Sequence, residues 1–227
     1  MHIFGNKWGL FPLFFSYLYL TFSLFGMIYI CDNFHTLGLD ASLELVSPQR
    51  RARALRFYAH SDRLQSTASY LLLKKGLQEE YSVDGCVDFD YDTGGKPHLH
   101  GRENIHFNIS HCKAAVACVV CRVETGIDVE CIAPFDDEVA RAVLSPLEYG
   151  MVVASGNPAL EFCRYWTKKE SWLKMKGKGL TGDIRAVTVD DKAFITFEDL
   201  QKGYVCSVCC SDDRFLSGMQ LIFPTLP

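Results

Sequence analysis

Two acidic side chains, two residues apart, form the sharpest chemical pattern in the sequence. Asp128 and Glu130 stand in the segment GIDVE, where they alternate with Ile127 and Val129. On a β-strand this spacing places both carboxylates on one face and turns both apolar side chains inward. Adjacent carboxylates repel unless a cation lies between them, and a hard divalent ion such as Mg²⁺ is a common partner. A solvated strand edge is the simpler interpretation of an isolated Asp-x-Glu.

A third carboxylate lies in a basic segment. Glu170 stands in WTKKESWLKMKGKGL, and Lys174 follows it four residues later on the same predicted helix face. Lys176, Lys178 and the nearby glycines can approach an anion closely. Taken alone, such a run is more often a solvated basic surface. Next to an acidic pair it favours a phosphate site, because lysine binds phosphate as a mobile point charge.

Two further stretches carry polar groups of the same kind. Lys96 stands in GGKP, between a flexible glycine pair and a rigid proline. The segment NISHC presents Asn108, Ser110 and His111 at the end of a predicted strand. Ser110 can donate a hydrogen bond, and His111 can bind phosphate as a donor or as a cation. The sequence contains no Gly-x-Ser-x-Gly elbow, Walker loop or dinucleotide-binding fingerprint.

Composition limits the classes of protein that the chain can represent. Its 227 residues, 48% hydrophobic and 22% charged, suffice for one ordinary domain or two small ones. The net charge of −4 gives no general reason to expect a nucleic-acid partner. The pairs Cys118-x-x-Cys121 and Cys206-x-x-Cys209 have the spacing of half a zinc site. Because both lie in apolar, strand-like runs, we interpret the cysteines as free core residues of a reducing compartment.

The N-terminus forms a hydrophobic extension over residues 1–26. Residues 8–30 contain no charge, and about 20 apolar residues are enough to span a bilayer. Either this segment is a membrane anchor, or the native protein starts at Met27, where MIYI is typical of an edge strand. We favour the start at Met27. Contact with a membrane is then expected only if residues 8–30 are a real anchor.

Capping signals and periodicity predict the elements that position these side chains. Ser47-Pro48 predicts the start of a helix, and a second helix is predicted to begin at Ser61-Asp62 and to end at Gly76. A clear helix is predicted from Glu161 to Met175. Strands are predicted over CVDFDY, IHFNIS, AAVACVVCRV, a short strand after a break at Gly126, RAVTVD, AFITFEDL and YVCSVCC. Both halves then show helix followed by strands, which allows a two-lobed α+β domain.

The motifs together are more specific than any one of them. GKP, FNISH, GIDVE and WTKKESWLKMKGKGL occur in that order, and from about Met27 onward the chain resembles the 4′-phosphopantetheinyl transferases of the surfactin-synthetase-activating type. The resemblance implies an α+β pseudo-dimer of two similar lobes, each a small antiparallel sheet packed with helices, with the active site in the cleft between them. The N-terminal lobe would span residues 27–125, and the C-terminal lobe, with the metal site, residues 126–227.

The resemblance also implies a reaction. Members of this family transfer the 4′-phosphopantetheine group of coenzyme A to a serine of an acyl, polyketide or peptidyl carrier protein. The reaction depends on Mg²⁺ and releases adenosine 3′,5′-bisphosphate. Coenzyme A and the carrier protein are thus the expected partners. A cytoplasmic monomer is the expected state.

Site residues carry over by motif. Asp128, Glu130 and Glu170 would hold Mg²⁺ on the pyrophosphate, and Glu170 would help to deprotonate the carrier serine, directly or through a bound water. Lys174 would neutralise charge that develops on the phosphates. Coenzyme A would also be contacted by a set of polar residues, of which the first three are matched by position only: Arg50, Arg53, Ser66, Lys96, Ser110 and His111. The pattern departs from the family at Cys112, where Ser or Thr is usual.

Two rival interpretations remain. The first is a membrane-anchored module without catalytic activity, with the acidic pair on its surface. The second is another Mg²⁺-dependent phosphate-ester enzyme, which would turn over coenzyme A without a carrier protein.

Overall fold

The computed structural model describes residues 26–177 and 184–227 as a mixed α+β structure in which small sheets pack against helices. This confirms the α+β part of the predicted fold class. The strands are β1 (Met27–Cys31), β2 (Phe89–Tyr91), β3 (Pro97–Leu99), β4 (His106–His111), β5 (Val116–Cys121), β6 (Thr125–Cys131), β7 (Ile195–Asp199), β8 (Tyr204–Cys210) and β9 (Gln220–Ile222). The helices are α1 (Leu39–Glu44), α2 (Pro48–Ala54), α3 (His60–Tyr81), α4 (Asp137–Val143), α5 (Pro146–Ala154), α6 (Pro158–Lys176) and α7 (Asp213–Leu216).

Parts of two sequence predictions lie outside the described residues. These are residues 1–25 of the hydrophobic extension and Lys178 of the basic run. Among the helices in residues 26–177 and 184–227, none has the length and apolar character that a membrane span needs.

The first sheet has the strand order β4-β5-β1-β9. Strand β1 runs antiparallel to β5 and parallel to β9, which pairs with Met27–Tyr29. The prediction that MIYI is an edge strand was therefore wrong. All five residues of β1 are buried, because the C-terminal strand returns to cover the edge that the sequence leaves open.

Helix α3 packs on this sheet and is longer than the sequence predicts. It begins at His60 rather than at a Ser61-Asp62 cap, and it continues past Gly76 to Tyr81. Gly76 is needed for packing: a Cβ there would lie 2.9 Å from Cε2 of the buried Tyr29. The helix ends instead at Ser82, whose φ of 53° gives the left-handed turn.

The second sheet, β6-β8-β7, is antiparallel throughout. One of its faces packs against the face of the first sheet that does not carry α3. The core between the two sheets includes Ile28, Val119, Ile127, Val129 and Val208. Helix α6 covers the opposite face of β6 and β8. The two apolar residues of GIDVE therefore face the core, as their alternation predicts.

Gly126 lies inside β6 and is not a break before it, so that prediction was wrong. A Cβ on Gly126 would collide with the carbonyl oxygen of Ser171 and lie 2.7 Å from the backbone nitrogen of Met175. The glycine lets the backbone of α6 rest directly on β6. This close approach sets the distance between the side chains of α6 and those of β6.

Side chains cap three helices, of which only the start at Ser47-Pro48 was predicted, and α6 begins three residues before the predicted Glu161. The Ser47 hydroxyl accepts from the backbone of Arg50 at the start of α2, and Ser145 and Glu148 form a capping box on α5. Helix α6 starts at Pro158 behind an Asn157 cap.

RAVTVD does not form a strand. Its start is a 3₁₀ turn, Ile184–Ala186, and the carbonyls of Ile184 and Val187 accept hydrogen bonds from Lys169. These two carbonyls are thus satisfied by a side chain and need no neighbouring strand.

The cysteines are free thiols, and eight of the ten are buried. Cys118 lies in the core under α3, and Cys206 lies in the core between the sheets. This placement agrees with their interpretation as small core residues.

Candidate active site

The acidic pair of β6 faces helix α6. Asp128 is only 2% exposed, while Glu130, nearer the strand end, is half-buried. Trp166 of α6 lies beside Glu130. Neither carboxylate is therefore a solvated strand-edge group.

A hydrogen-bonded triad joins β4, β6 and α6 beside this pair. Nζ of Lys174 lies 2.5 Å from Oδ1 of Asp128 and donates to Oγ of Ser110 at 2.9 Å. Ser110 in turn donates to Oδ1 of Asp128 at 2.9 Å. Three residues from the separate motifs NISH, GIDVE and WTKKES thus meet at a single carboxylate oxygen.

Two carboxylate oxygens in the same region are buried without a hydrogen-bond partner: Oδ2 of Asp128 and Oε1 of Glu170. Burial, the Asp128 carboxylate and, more weakly, Glu170 raise the pKa of Glu130 to about 7. Burial and Asp128 also raise the pKa of Glu170. Unpartnered buried acceptors are uncommon in proteins, so these carboxylates form a repulsive cluster that a cation would stabilise.

The donor set fits Mg²⁺. No group of three or more His, Cys, Asp or Glu side chains within residues 26–177 and 184–227 forms a ready metal cluster. Magnesium does not require one, because it commonly takes one or two carboxylates and completes its shell with water and substrate phosphate oxygens. The two unpartnered oxygens are hard ligands of that kind. Asp128 and Glu170 could therefore supply one ligand each, with Glu130 close to both.

A cavity of about 320 Å³ opens next to the triad. Its walls come from α2, α3, β4, β6, α6 and the turn between β2 and β3. The lining includes seven of the residues predicted from the sequence: Arg50, Arg53, Ser66, Ser110, His111, Glu130 and Lys174. Asp128 and Glu170 are not among its lining residues.

The α2–α3 side of the cavity is cationic. Arg50 is 8% exposed, and its guanidinium lies 5.4 Å from the ring centroid of Tyr70 and 5.7 Å from that of Phe89. Burial, reinforced by Arg53, lowers the pKa of Arg50 below its usual range. Arg53 is exposed. Buried Oγ of Ser66 has no partner, so this wall offers two cations and a free hydroxyl to an anion.

His111 lies at the end of β4 and lines the cavity, so that protein surrounds part of an otherwise exposed ring. This partial desolvation, together with the charge of Lys174, lowers the pKa of His111. This shift favours the neutral imidazole, which can contact phosphate as a hydrogen-bond donor.

Lys96 bonds to the end of helix α6. Its neighbours Gly95 and Pro97 line the cavity, but its ammonium donates to the carbonyl of Met175 at the end of α6, at 2.7 Å. Lys176 lies over the ring of Trp172, 5.7 Å from the centroid. The structure therefore brings neither ammonium to the cavity lining.

Asn108 has a structural role that the sequence does not reveal. Its Oδ1 accepts a hydrogen bond from the backbone of Ile127 at 3.1 Å. The bond ties β4 to β6, which belong to different sheets, and so fixes Ser110 relative to Asp128.

The sequence analysis also did not predict a buried ion pair made by the residue next to Glu170. The side chain of Lys169 is 0% exposed, and its Nζ lies 2.9 Å from Oε2 of Glu148. The same ammonium donates to the carbonyls of Ile184 and Val187. Because Lys169 precedes Glu170 on α6, this pair fixes the rotation of the helix at the site. The Ser145-x-x-Glu148 capping pattern was the one sequence signal that pointed to Glu148.

Two family models match consecutive parts of the chain. The model described as "4′-phosphopantetheinyl transferase, N-terminal" matches residues 36–122, and the model described as "4′-phosphopantetheinyl transferase superfamily" matches residues 124–216. The chain belongs to the 4′-phosphopantetheinyl transferase superfamily. The second match contains all three carboxylates and Lys174.

Curated relatives agree with this assignment. A 4′-phosphopantetheinyl transferase of Bacillus subtilis is 28% identical over 80% of the chain and 89% of its own length. The transferase Sfp of the same species is 25% identical over 79% and 88%. HetI of Nostoc sp. is 35% identical over 60% of the chain and 61% of its own length. The protein is thus a phosphopantetheinyl transferase of the surfactin-synthetase-activating type, which confirms the resemblance stated from its motifs.

Proposed function

We propose that the cavity beside the Ser110–Asp128–Lys174 triad is the place where this phosphopantetheinyl transferase moves the 4′-phosphopantetheine group of coenzyme A to a serine of an apo carrier protein. The observation that carries the proposal is the pair of unpartnered, buried carboxylate oxygens on Asp128 and Glu170. Asp128 bonds to Ser110 and Lys174, which line a cavity that also carries Arg50 and Arg53. Coenzyme A carries a 3′-phosphate and a 5′-pyrophosphate on one ribose, so its site needs cations for both and carboxylates for the metal.

Asp128, Glu130 and Glu170 are the residues that would hold Mg²⁺. When bound, the ion would neutralise charge on the pyrophosphate oxygens and stabilise the leaving phosphate. Lys174 supplies a fixed positive charge from the protein itself, because its ammonium is held at Asp128 and Ser110. Phosphoryl transfer needs mainly such positioning and electrostatic stabilisation.

Glu170 is the residue that would accept the proton of the carrier serine, directly or through a water. The serine oxygen then bonds to the phosphorus that carries the pantetheine arm. The bond from that phosphorus to the bridging oxygen breaks, and adenosine 3′,5′-bisphosphate leaves.

Arg53, Arg50, Ser66 and His111 would bind the nucleotide end of coenzyme A. Arg53 is the exposed cation of the group and would pair with the 3′-phosphate. Arg50 is stacked on aromatic rings and buried, so it would act as a fixed charge behind it.

The two-lobed organisation is part of the same proposal, with lobes at residues 27–125 and 126–227 and the cavity as the cleft between them. Each half contributes an antiparallel strand pair and a long helix, α3 or α6, and residues of both halves line the cavity. The pairing of β9 with β1 would fasten the end of the second lobe to the first. A monomer acting in the cytoplasm suits a substrate pair of coenzyme A and carrier protein.

Intact-mass spectrometry of carrier proteins tests the proposed function. The full-length protein is incubated with coenzyme A, a panel of apo acyl, polyketide and peptidyl carriers, and either Mg²⁺ or EDTA. The proposal predicts that at least one carrier gains the mass of one phosphopantetheine group, only with Mg²⁺, and that adenosine 3′,5′-bisphosphate is released in equal amount. Unchanged carriers, or coenzyme A consumed in a reaction without carrier, would contradict it.

A further inference from the structure

Three hydroxyl groups form a hydrogen-bonded network between helix α6 and the second sheet. Oγ1 of Thr167 on α6 lies 2.8 Å from Oγ of Ser207 on β8, and this oxygen lies 3.0 Å from Oγ1 of Thr196 on β7. Thr167 and Ser207 are 0% exposed, whereas Thr196 is exposed. The network therefore carries polar groups from an edge strand into the fully buried contact between helix and sheet.

The hydroxyl protons of the network point in one direction. Oγ1 of Thr167 donates to the backbone carbonyl of Arg164 at 3.2 Å. Because each hydroxyl has one proton, Ser207 is left to donate to Thr167 and accepts from Thr196. Both buried hydroxyls are then satisfied, and a satisfied polar contact in a core fixes one relative position of the elements that it joins.

Ser207 lies beside the carboxylate of the triad in the sheet. Strands β6 and β8 pair antiparallel with Asp128 opposite Ser207, and β7 pairs with β8 so that Thr196 lies opposite the same serine. Residues that are directly paired on neighbouring strands point to the same face of a sheet. Asp128, Ser207 and Thr196 thus form one row beneath α6.

Two polar side chains of α6 contact adjacent residues of this row. Lys174 lies 2.5 Å from Oδ1 of Asp128, and Thr167 bonds to Ser207. Glu170 lies between the two, three residues after Thr167 and four before Lys174. Residues at these spacings are neighbours on a helix surface, so the two contacts together set where Glu170 lies relative to Asp128.

Other contacts of α6 hold different parts of the helix. The close approach of Gly126 involves the carbonyl oxygen of Ser171, after Glu170, and Lys169 bonds to helix α5. Among the described residues, Thr167 is the nearest one before Glu170 whose side chain hydrogen-bonds to the sheet. Its bond therefore controls the part of α6 that leads into the site.

We infer, on the basis of the proposed function, that Thr167 and Ser207 are positioning residues whose hydrogen bond holds Glu170 where its free Oε1 and Oδ2 of Asp128 can bind one Mg²⁺ ion. Neither hydroxyl contacts the metal or coenzyme A in this role. Loss of the bond lets α6 shift on β8 and moves Glu170, while the arginines that bind the nucleotide stay in place. A misplacement of about 1 Å at a reacting centre can cost about a hundredfold in rate.

Two variants remove the bond from opposite sides. Thr167→Val replaces the hydroxyl by a methyl group of similar size, and Ser207→Ala removes the other hydroxyl with little change in volume. Thr167→Ser keeps the hydroxyl and is the conservative variant. Thr67→Val is the matched control, because Thr67 is also 0% exposed but its hydroxyl bonds to the carbonyls of Arg63 and Leu64 in its own helix, α3.

Three quantities are measured on the full-length protein: the Kd of Mg²⁺ alone by titration calorimetry, kcat and KM for coenzyme A in carrier modification, and the free energy of unfolding in urea without metal. We expect Thr167→Val and Ser207→Ala each to weaken Mg²⁺ binding and to lower kcat, both about tenfold, the effect of one lost hydrogen bond. KM should change less than about threefold.

The pattern across the variants separates positioning from stability alone. Thr167→Ser should stay within about threefold of the wild type in Mg²⁺ affinity and kcat. The variant with both Thr167→Val and Ser207→Ala should be no worse than the poorer single one, because both changes remove the same bond. Thr67→Val should leave the Kd of Mg²⁺ unchanged even where the free energy of unfolding falls.

The inference is overturned if Thr167→Val and Ser207→Ala lower the free energy of unfolding but leave the Kd of Mg²⁺ and kcat within about twofold of the wild type. It is also overturned if Thr67→Val weakens Mg²⁺ binding to the same extent, or if the effects of the two single variants add. Should Thr167→Val not fold, Ser207→Ala decides by the same criteria. Absence of transfer by the wild type would count against the proposed function instead, and the Mg²⁺ titration would still decide the role of the two hydroxyls.

Discussion

Lys174 on α6 lies 2.5 Å from Oδ1 of Asp128 on β6. The pair joins two motifs that are distant in sequence, and it leaves Oδ2 of Asp128 without a partner at a site that is almost closed to solvent. A buried carboxylate with one oxygen paired and one oxygen free is prepared for a second cation. In the proposed mechanism, structure and reactivity therefore depend on the same ion pair.

Replacement of Lys174 by methionine should lower both activity and stability. Asp128, of which only 2% is exposed, would lose its cation. We expect the free energy of unfolding to fall by about 2 kcal/mol, less than for a fully buried pair because the Lys174 side chain is 31% exposed. Urea unfolding without divalent ions measures this. Lys75→Met, at an exposed pair with Glu79, should cost below about 0.5 kcal/mol; equal losses would contradict the argument.

Replacement of each of the two arginines of α2 should change different properties of the protein. Arg53→Ala should weaken binding of coenzyme A but not of 3′-dephospho-coenzyme A, because an exposed cation acts mainly on the phosphate. Arg50→Ala should also lower the melting temperature, since it removes a buried group stacked on Tyr70 and Phe89. Calorimetric titration with both ligands checks this. Equal loss of affinity for the two ligands would show that Arg53 is not the 3′-phosphate contact.

Glu130 makes metal binding and stability depend on pH. Its pKa is raised from 4.5 to about 7 by burial and by Asp128, so between these values the folded state binds more protons than the unfolded state. Without metal, the contribution of Glu130 to stability therefore falls as pH rises from about 4.5 to 7. Metal competes with that proton, so we expect Mg²⁺ to bind more tightly at pH 8 than at pH 6, with proton release on binding.

The comparison that isolates Glu130 is Glu130→Gln, in which the pH dependence of Mg²⁺ binding should become shallower over the same range. Titration calorimetry in two buffers of different ionisation enthalpy counts the released protons. A variant that releases as many protons as the wild type would assign the titration to another group.

The buried pair of Lys169 and Glu148 should be coupled energetically. Lys169→Met leaves Glu148 without its cation and two carbonyls without a donor, so a loss of about 3–5 kcal/mol is expected. Adding Glu148→Gln should recover part of that loss, because the unpaired charge is then removed. A double-mutant cycle by chemical denaturation measures the coupling. Additive losses would contradict a direct ion pair.

Local patterns in the sequence predicted the elements that carry the site. The alternation in GIDVE placed Asp128 and Glu130 on one face, and the three- and four-residue spacing after Glu161 predicted the helix that carries Glu170 and Lys174. These features depend on residues close in the chain, where periodicity and capping decide the structure.

The features that the sequence did not predict depend on contacts between distant segments. Gly76 and Gly126 have the appearance of helix and strand breakers, but each permits close packing against another element. The sequence neighbours of Lys96 line the cavity, yet its ammonium bonds to Met175, which is 79 residues away along the chain. The parallel return of β9 to β1 likewise leaves no local signal, because strand pairing is set by the whole sheet.

The most direct test of the central claim, that Asp128, Glu130 and Glu170 form the metal-dependent transfer site, is the rate at which Glu170→Gln modifies an apo carrier protein across a Mg²⁺ titration, followed by intact mass. The account predicts that the variant keeps the circular dichroism spectrum of the wild type and loses roughly three orders of magnitude or more in rate at every Mg²⁺ concentration. Turnover close to that of the wild type at saturating Mg²⁺ would contradict it.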